Sequence, residues 1–194
     1  MRALTRIPFL AIVVGSLTLP AMPAMAQPIP GAVLYTVVIP AGEFGSAAFT
    51  SVVVGGLAAA KEFCAGLGEA YRVDCLAERF SVLSASIPKN SDYGEVRQVL
   101  RSASNRMASL ARKNRSRDLP RGRATSPGFS ETTTRPLTPV NRAATVEVNR
   151  KAQAILAQTE TLLLRSAGES RSKTLHYTQI ASAIGSNKVL LRSV

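Results

Sequence analysis

The stretch Glu62–Phe80, EFCAGLGEAYRVDCLAERF, holds both cysteines of the chain, Cys64 and Cys75, and their role decides the fold. If one helix ran through both, eleven residues at 1.5 Å each would set the Cα atoms about 16 Å apart, whereas a disulfide tolerates only about 7 Å. In an oxidising compartment an even pair of cysteines is expected to be bridged. The chain must then reverse between them, and Gly66 and Gly68 supply the residue type that ends helices in the left-handed conformation. The spacing therefore predicts a helical hairpin, with its turn near Gly66–Glu69 and a bridge worth about 3 kcal/mol by loop entropy. A thioredoxin-like redox role needs Cys-x-x-Cys at a helix start within a βαβ unit. A zinc site needs about four ligands, and the single histidine, His176, lies a hundred residues away. Neither fits, and no cofactor or metal is expected.

The compartment is read from the first residues. MRALTRIPFLAIVVGSLTLPAMPAMAQP carries Arg2 and Arg6, an apolar run from Phe9 to Leu19, and Ala24-Met25-Ala26. This is the pattern of a secretory signal peptide (residues 1–26) with cleavage near Ala26, so the chain is expected in the periplasm or outside the cell. Removing 26 of the 194 residues leaves 168, and losing Arg2 and Arg6 brings the net charge from +12 to +10. That length supports one domain with its own core. Only 5% of the residues are aromatic, so the core must be built of Leu, Val, Ile and Ala, a mixture suited to closely packed helices.

The fold class expected is all-α: a small bundle of about four to five helices with a disulfide-stapled hairpin, an extended N-terminal arm and a long Pro/Arg/Ser-rich loop. Residues 27–42 form the arm, since Pro28, Pro30 and Pro40 bar a helix. Residues 43–115 form a first helical region. Within it the uncharged run 44–60 is read as a buried helix rather than a membrane span, being short for one and interrupted by Gly45, Gly55 and Gly56. Tyr71, Cys75, Ala77, Phe80, Val82 and Leu83 give the next helix an apolar face, with Glu78 and Arg79 turned away and Pro88 as the stop. Glu43, Glu62, Glu69, Asp74 and Glu78 read as surface charges. Asp92 with Glu95 resembles a capping box for the following helix. Along that helix Val96, Leu100, Ala103, Met107 and Leu110 form a seam at spacings of four and three.

Residues 116–139 have no periodicity and read as a flexible or extended linker, unusually long for a compact domain. Residues 140–194 form a C-terminal helical region. Its long helix runs from Asn141 to a stop at Gly168, with Thr145, Val148, Ala152, Ile155, Thr159 and Leu162 as a second seam. A last helix covers about 172–184, and the apolar tail Val189–Leu191 should dock. The tripeptide Leu-Arg-Ser occurs three times without a fixed period and defines no repeat.

Function follows from charge more than from chemistry. Arg97, Arg101, Arg106, Arg112, Lys113, Arg115, Arg117, Arg121 and Arg123 stand against one acid, Asp118, a local charge of +8. Such a run attracts polyanions, although a solvated helix face leading into a basic linker has the same composition. Nucleic acid is disfavoured by export and by the lack of Tyr or Trp among the arginines. Anionic lipid or polysaccharide fits better. No nucleophile–base–orienter arrangement is visible, and His176 is read as a packing or capping residue, so no catalytic residues are assigned. The leading expectation is a noncatalytic exported envelope protein, a helical structural or interaction module whose two seams face a partner protein or a second copy. Anion binding through 97–123 is the alternative.

Overall fold

The computed structural model describes residues 46–89 and 91–192. The signal-peptide and arm assignments (1–26 and 27–42) lie outside the described residues. Of the described residues 69% are helical and none is in a strand. Five α-helices follow one another: α1 (Ala47–Ala65), α2 (Arg72–Ser86), α3 (Gly94–Lys113), α4 (Thr145–Ser166) and α5 (Arg171–Ser186), with single 3₁₀ turns at Glu69–Tyr71, Arg142–Ala144 and Val189–Leu191.

Each helix packs on its neighbour in sequence, and α5 returns to α1, so the five close into a ring around one core. Consecutive helices alternate in direction, and an odd number of them leaves α5 running alongside α1 in the same sense. Thr50 near the start of α1 therefore meets His176 near the start of α5, while the α1 carbonyl of Leu57 accepts from Asn187 just past the end of α5.

The hairpin forms as expected. Cys64 and Cys75 are bonded, with Cα atoms 5.8 Å apart. Ser46 caps the start of α1 by accepting from the Phe49 N–H. The end of α1 differs from expectation: Gly66 is right-handed (φ −67°). What requires glycine here is space, since a Cβ on Gly66 would lie 2.1 Å from Ser126 Oγ and 3.0 Å from Pro127 Cδ. The left-handed stop is found at Gly168 (φ +58°), just beyond α4. α1 is the one helix among the described residues long and apolar enough to cross a membrane, with mean hydropathy 1.3. Here it lies between α2 and α5, with Val53, Leu57 and Phe63 almost fully covered.

α2 ends where Ile87 turns extended (ψ 122°) ahead of Pro88. Its orphan carbonyls are taken by Arg97, whose Nη1 donates to the carbonyls of Ser84, Ala85 and Ile87. α3 buries four of its five seam positions: Val96, Leu100, Ala103 and Met107 are all 1% exposed or less, while Leu110 is only partly buried. No side chain caps the start of α3. Glu95 instead reaches α5, accepting from Lys173 Nζ at 2.6 Å and Tyr177 Oη at 2.7 Å.

α4 begins at Thr145, after a turn capped by Asn141. Thr145 to Thr159 of its seam are buried, but the last position is out of phase: Leu163 enters the core and Leu162 is 49% exposed. A straight helix at 3.6 residues per turn drifts off a strict four-three repeat, and the drift decides which leucine turns inward. The tail docks through Leu190 and Leu191, and Gln153 Nε2 donates to the Leu191 carbonyl.

Candidate anion-binding surface

The residues that join α3 to α4 decide how the arginines are presented. Residues 116–139 are extended and anchored rather than a loose tether. Two limbs run antiparallel, with isolated bridges at Arg115–Val140, Gly122–Leu137 and Thr125–Thr132. The returning limb lies against α2, with Thr133, Leu137 and Thr138 buried; the outgoing limb lies on it, facing solvent. The loop tip rests on the hairpin, Phe129 meeting Phe63 edge-on at 5.4 Å.

Two carboxylates hold the returning limb in place, and both correct the sequence reading. Asp74 and Glu78, which the sequence pattern places on the surface, are 0% and 1% exposed. One helical turn apart on α2, they share a face. Asp74 accepts from both terminal nitrogens of Arg135, at 2.6 and 2.8 Å, and from the Thr138 N–H at 2.7 Å. Glu78 accepts from the Thr134 N–H and hydroxyl, both at 2.8 Å, and from Arg79. Such burial is tolerated because the charges are paired and hydrogen-bonded. The missed signal was their count of partners: an extended segment without a sheet must find acceptors for its N–H groups elsewhere.

Of the nine cations singled out in the sequence, the structure removes one from the surface site: Arg97 is the C-terminal cap of α2. Arg106 donates to Gln158 Oε1 on α4 at 2.5 Å and has no carboxylate partner among the described residues. The remaining seven, Arg101, Arg112, Lys113, Arg115, Arg117, Arg121 and Arg123, are exposed and have no ion-pair partner among the described residues. They do not form one spot. Arg101 lies partway along α3, Arg112 and Lys113 end it, and the other four follow the outgoing limb. Gly122 pairs with the inward-facing Leu137, so Arg121 and Arg123 on either side of it point outward together.

The fold adds cations from the other half of the chain. The Asn141 N–H donates to the Asn114 carbonyl at 2.8 Å, bringing the end of α3 to the start of α4. Arg142, Arg150 and Lys151 thereby come to the same end of the bundle, a juxtaposition no linear run reveals. Glu147 is the acid among them; Arg150 and Lys151 together hold its carboxyl down at about 2. Between α3 and α4 lies an open groove of about 420 Å³, with Arg106, Lys113 and Lys151 around it and Leu110, Ala154 and Ile155 as its floor.

His176 takes part in packing. Its Nδ1 lies 2.9 Å from Thr50 Oγ1, which is 3.0 Å from Tyr93 Oη, all three side chains being buried. Burial, followed by the hydrogen bond to Glu95, pushes the Tyr177 hydroxyl far above its ordinary 10, so Tyr177 remains a donor. No protein family, curated protein or solved structure matches the chain, and the functional reading rests on this geometry.

Proposed function

We propose that this chain is a noncatalytic exported binding module that holds an anionic envelope component, lipid or polysaccharide, on the cationic end of a helical bundle. The observation that carries the reading is the set of unpaired cations on an anchored limb. A disordered basic linker needs no buried carboxylates, yet α2 commits Asp74 and Glu78 to fixing this one. Export is supported by the disulfide, which persists in oxidising compartments, and by the apolar run that precedes Ala24-Met25-Ala26.

The reading as a module docking a partner protein or second copy drew on two apolar seams. Most of both is spent on the domain's own core; of the seam positions only Leu110, partly buried, and Leu162, 49% exposed, remain at the surface, which is little apolar area for a protein interface. Charge is what the surface offers.

Vesicle co-sedimentation of the chain from Gln27 onward provides the test. Binding to anionic but not zwitterionic vesicles is expected, falling steeply between about 50 and 200 mM salt. Replacing Arg115, Arg117, Arg121 and Arg123 with Gln should weaken it by about 1 kcal/mol per charge. An acidic polysaccharide assayed in parallel decides between the two ligand types. Binding to neither, or binding indifferent to salt and to these variants, removes the proposal.

A further inference from the structure

We infer that the groove between α3 and α4 seats the phosphate of an anionic lipid headgroup, an assignment that rests on the anion-binding reading above and gives it a specific contact. Lys113 has no hydrogen-bond or ion-pair partner among the described residues. Arg106 leans only on the neutral Gln158, through one nitrogen of its fork, leaving further N–H donors for a phosphate oxygen. Lys151 shares Glu147 with Arg150. Three cations and no acid line the groove, a lining charge of +3, and Glu147 beyond it is balanced by Arg150. Arg106 and Lys113 are two turns apart on one face of α3, and Lys151 approaches from α4, so the charges ring the opening instead of lining one side.

The floor separates a lipid from a bare anion. A free phosphate or a polysaccharide has no use for Leu110 and Ile155, whereas the glycerol and first methylenes of a lipid do. The apolar track also continues along α4. Gln158, which binds Arg106, lines a neighbouring shallow depression of about 370 Å³ with Ala157 and Leu162. The exposed Leu162, which fell out of the core seam, lies on that track.

The experiment compares the chain from Gln27 onward with two variants: Lys113→Met/Lys151→Met in the groove and Arg121→Gln/Arg123→Gln on the limb. All four positions are exposed, and circular dichroism confirms folding. The probes are phosphatidylglycerol vesicles, oleate-doped vesicles of equal surface charge, and inorganic phosphate. The inference expects the groove variant to lose about tenfold or more on phosphatidylglycerol and to lose the wild type's preference for it over oleate, while millimolar phosphate fails to displace the vesicles. If the limb variant weakens binding and the groove variant does not, the groove assignment falls and the anion-binding reading stands. If neither variant changes binding, both fall. Displacement by inorganic phosphate would overturn the lipid assignment in favour of a free-anion site.

Discussion

Asp74 and Glu78 place two negative charges in the interior of a strongly basic chain, and each is covered by the segment it holds. Replacing Asp74 with Ala leaves the Thr138 N–H buried without an acceptor and Arg135 without its bidentate partner. The expected cost is about 2–3 kcal/mol, since Arg135 is partly exposed; urea titration reads it directly, and a loss below about 0.5 kcal/mol would show that the clamp contributes little. Glu95 makes a pH prediction. Burial pushes its carboxyl up, but the hydrogen bonds from Lys173 and Tyr177 outweigh it and hold the group below its ordinary 4.5. Its contribution to stability is therefore complete above the unfolded value and is lost as pH falls through the lower, folded value. Thermal melts at descending pH should show part of the acid loss below about 4.5 disappear in Glu95→Gln; an unchanged acid slope would contradict the assignment. Neither role was legible in the sequence. An acid beside a cysteine, or one in the first turn of a helix, reads as solvent-facing or as a cap until a distant partner is seen.

At the scale of elements, the sequence carried the hairpin, the α3 seam and the docked tail because each is written locally: a redox-fixed distance, a four-three spacing, a run of aliphatics after a glycine. The second seam failed at its last position because helical drift accumulates over four turns. The loop was hidden for another reason. Its hydrogen bonds run to α2 and to its own second limb, and composition says nothing about such distant acceptors. Gly66 shows the difference between backbone and space. Gly66→Ala introduces a Cβ against Ser126 and the rigid ring of Pro127, and should destabilise by about 1–3 kcal/mol. Gly185→Ala meets only the Glu160 carboxylate, the far end of a flexible side chain, and should be near neutral. Equal melting temperatures for the two variants would mean that the loop tip does not press on the hairpin.

For the whole molecule, the ring of five helices, the bonded hairpin and the clamped limbs form one arrangement with charge concentrated where α3 gives way to α4. The disulfide holds together the two helices on which the loop rests, so about 3 kcal/mol of loop entropy also supports the platform that carries the arginines. The cationic surface is thus built by the fold, and a tethered basic tail of equal composition would lack both the groove and the fixed limb. Amide hydrogen exchange across residues 116–139 of the oxidised protein tests this most directly. Protection at Thr133, Thr134, Leu137 and Thr138, comparable to that of the neighbouring helices and lowered by Asp74→Ala, is the predicted result; exchange of all four at the rate of an unfolded chain would contradict it.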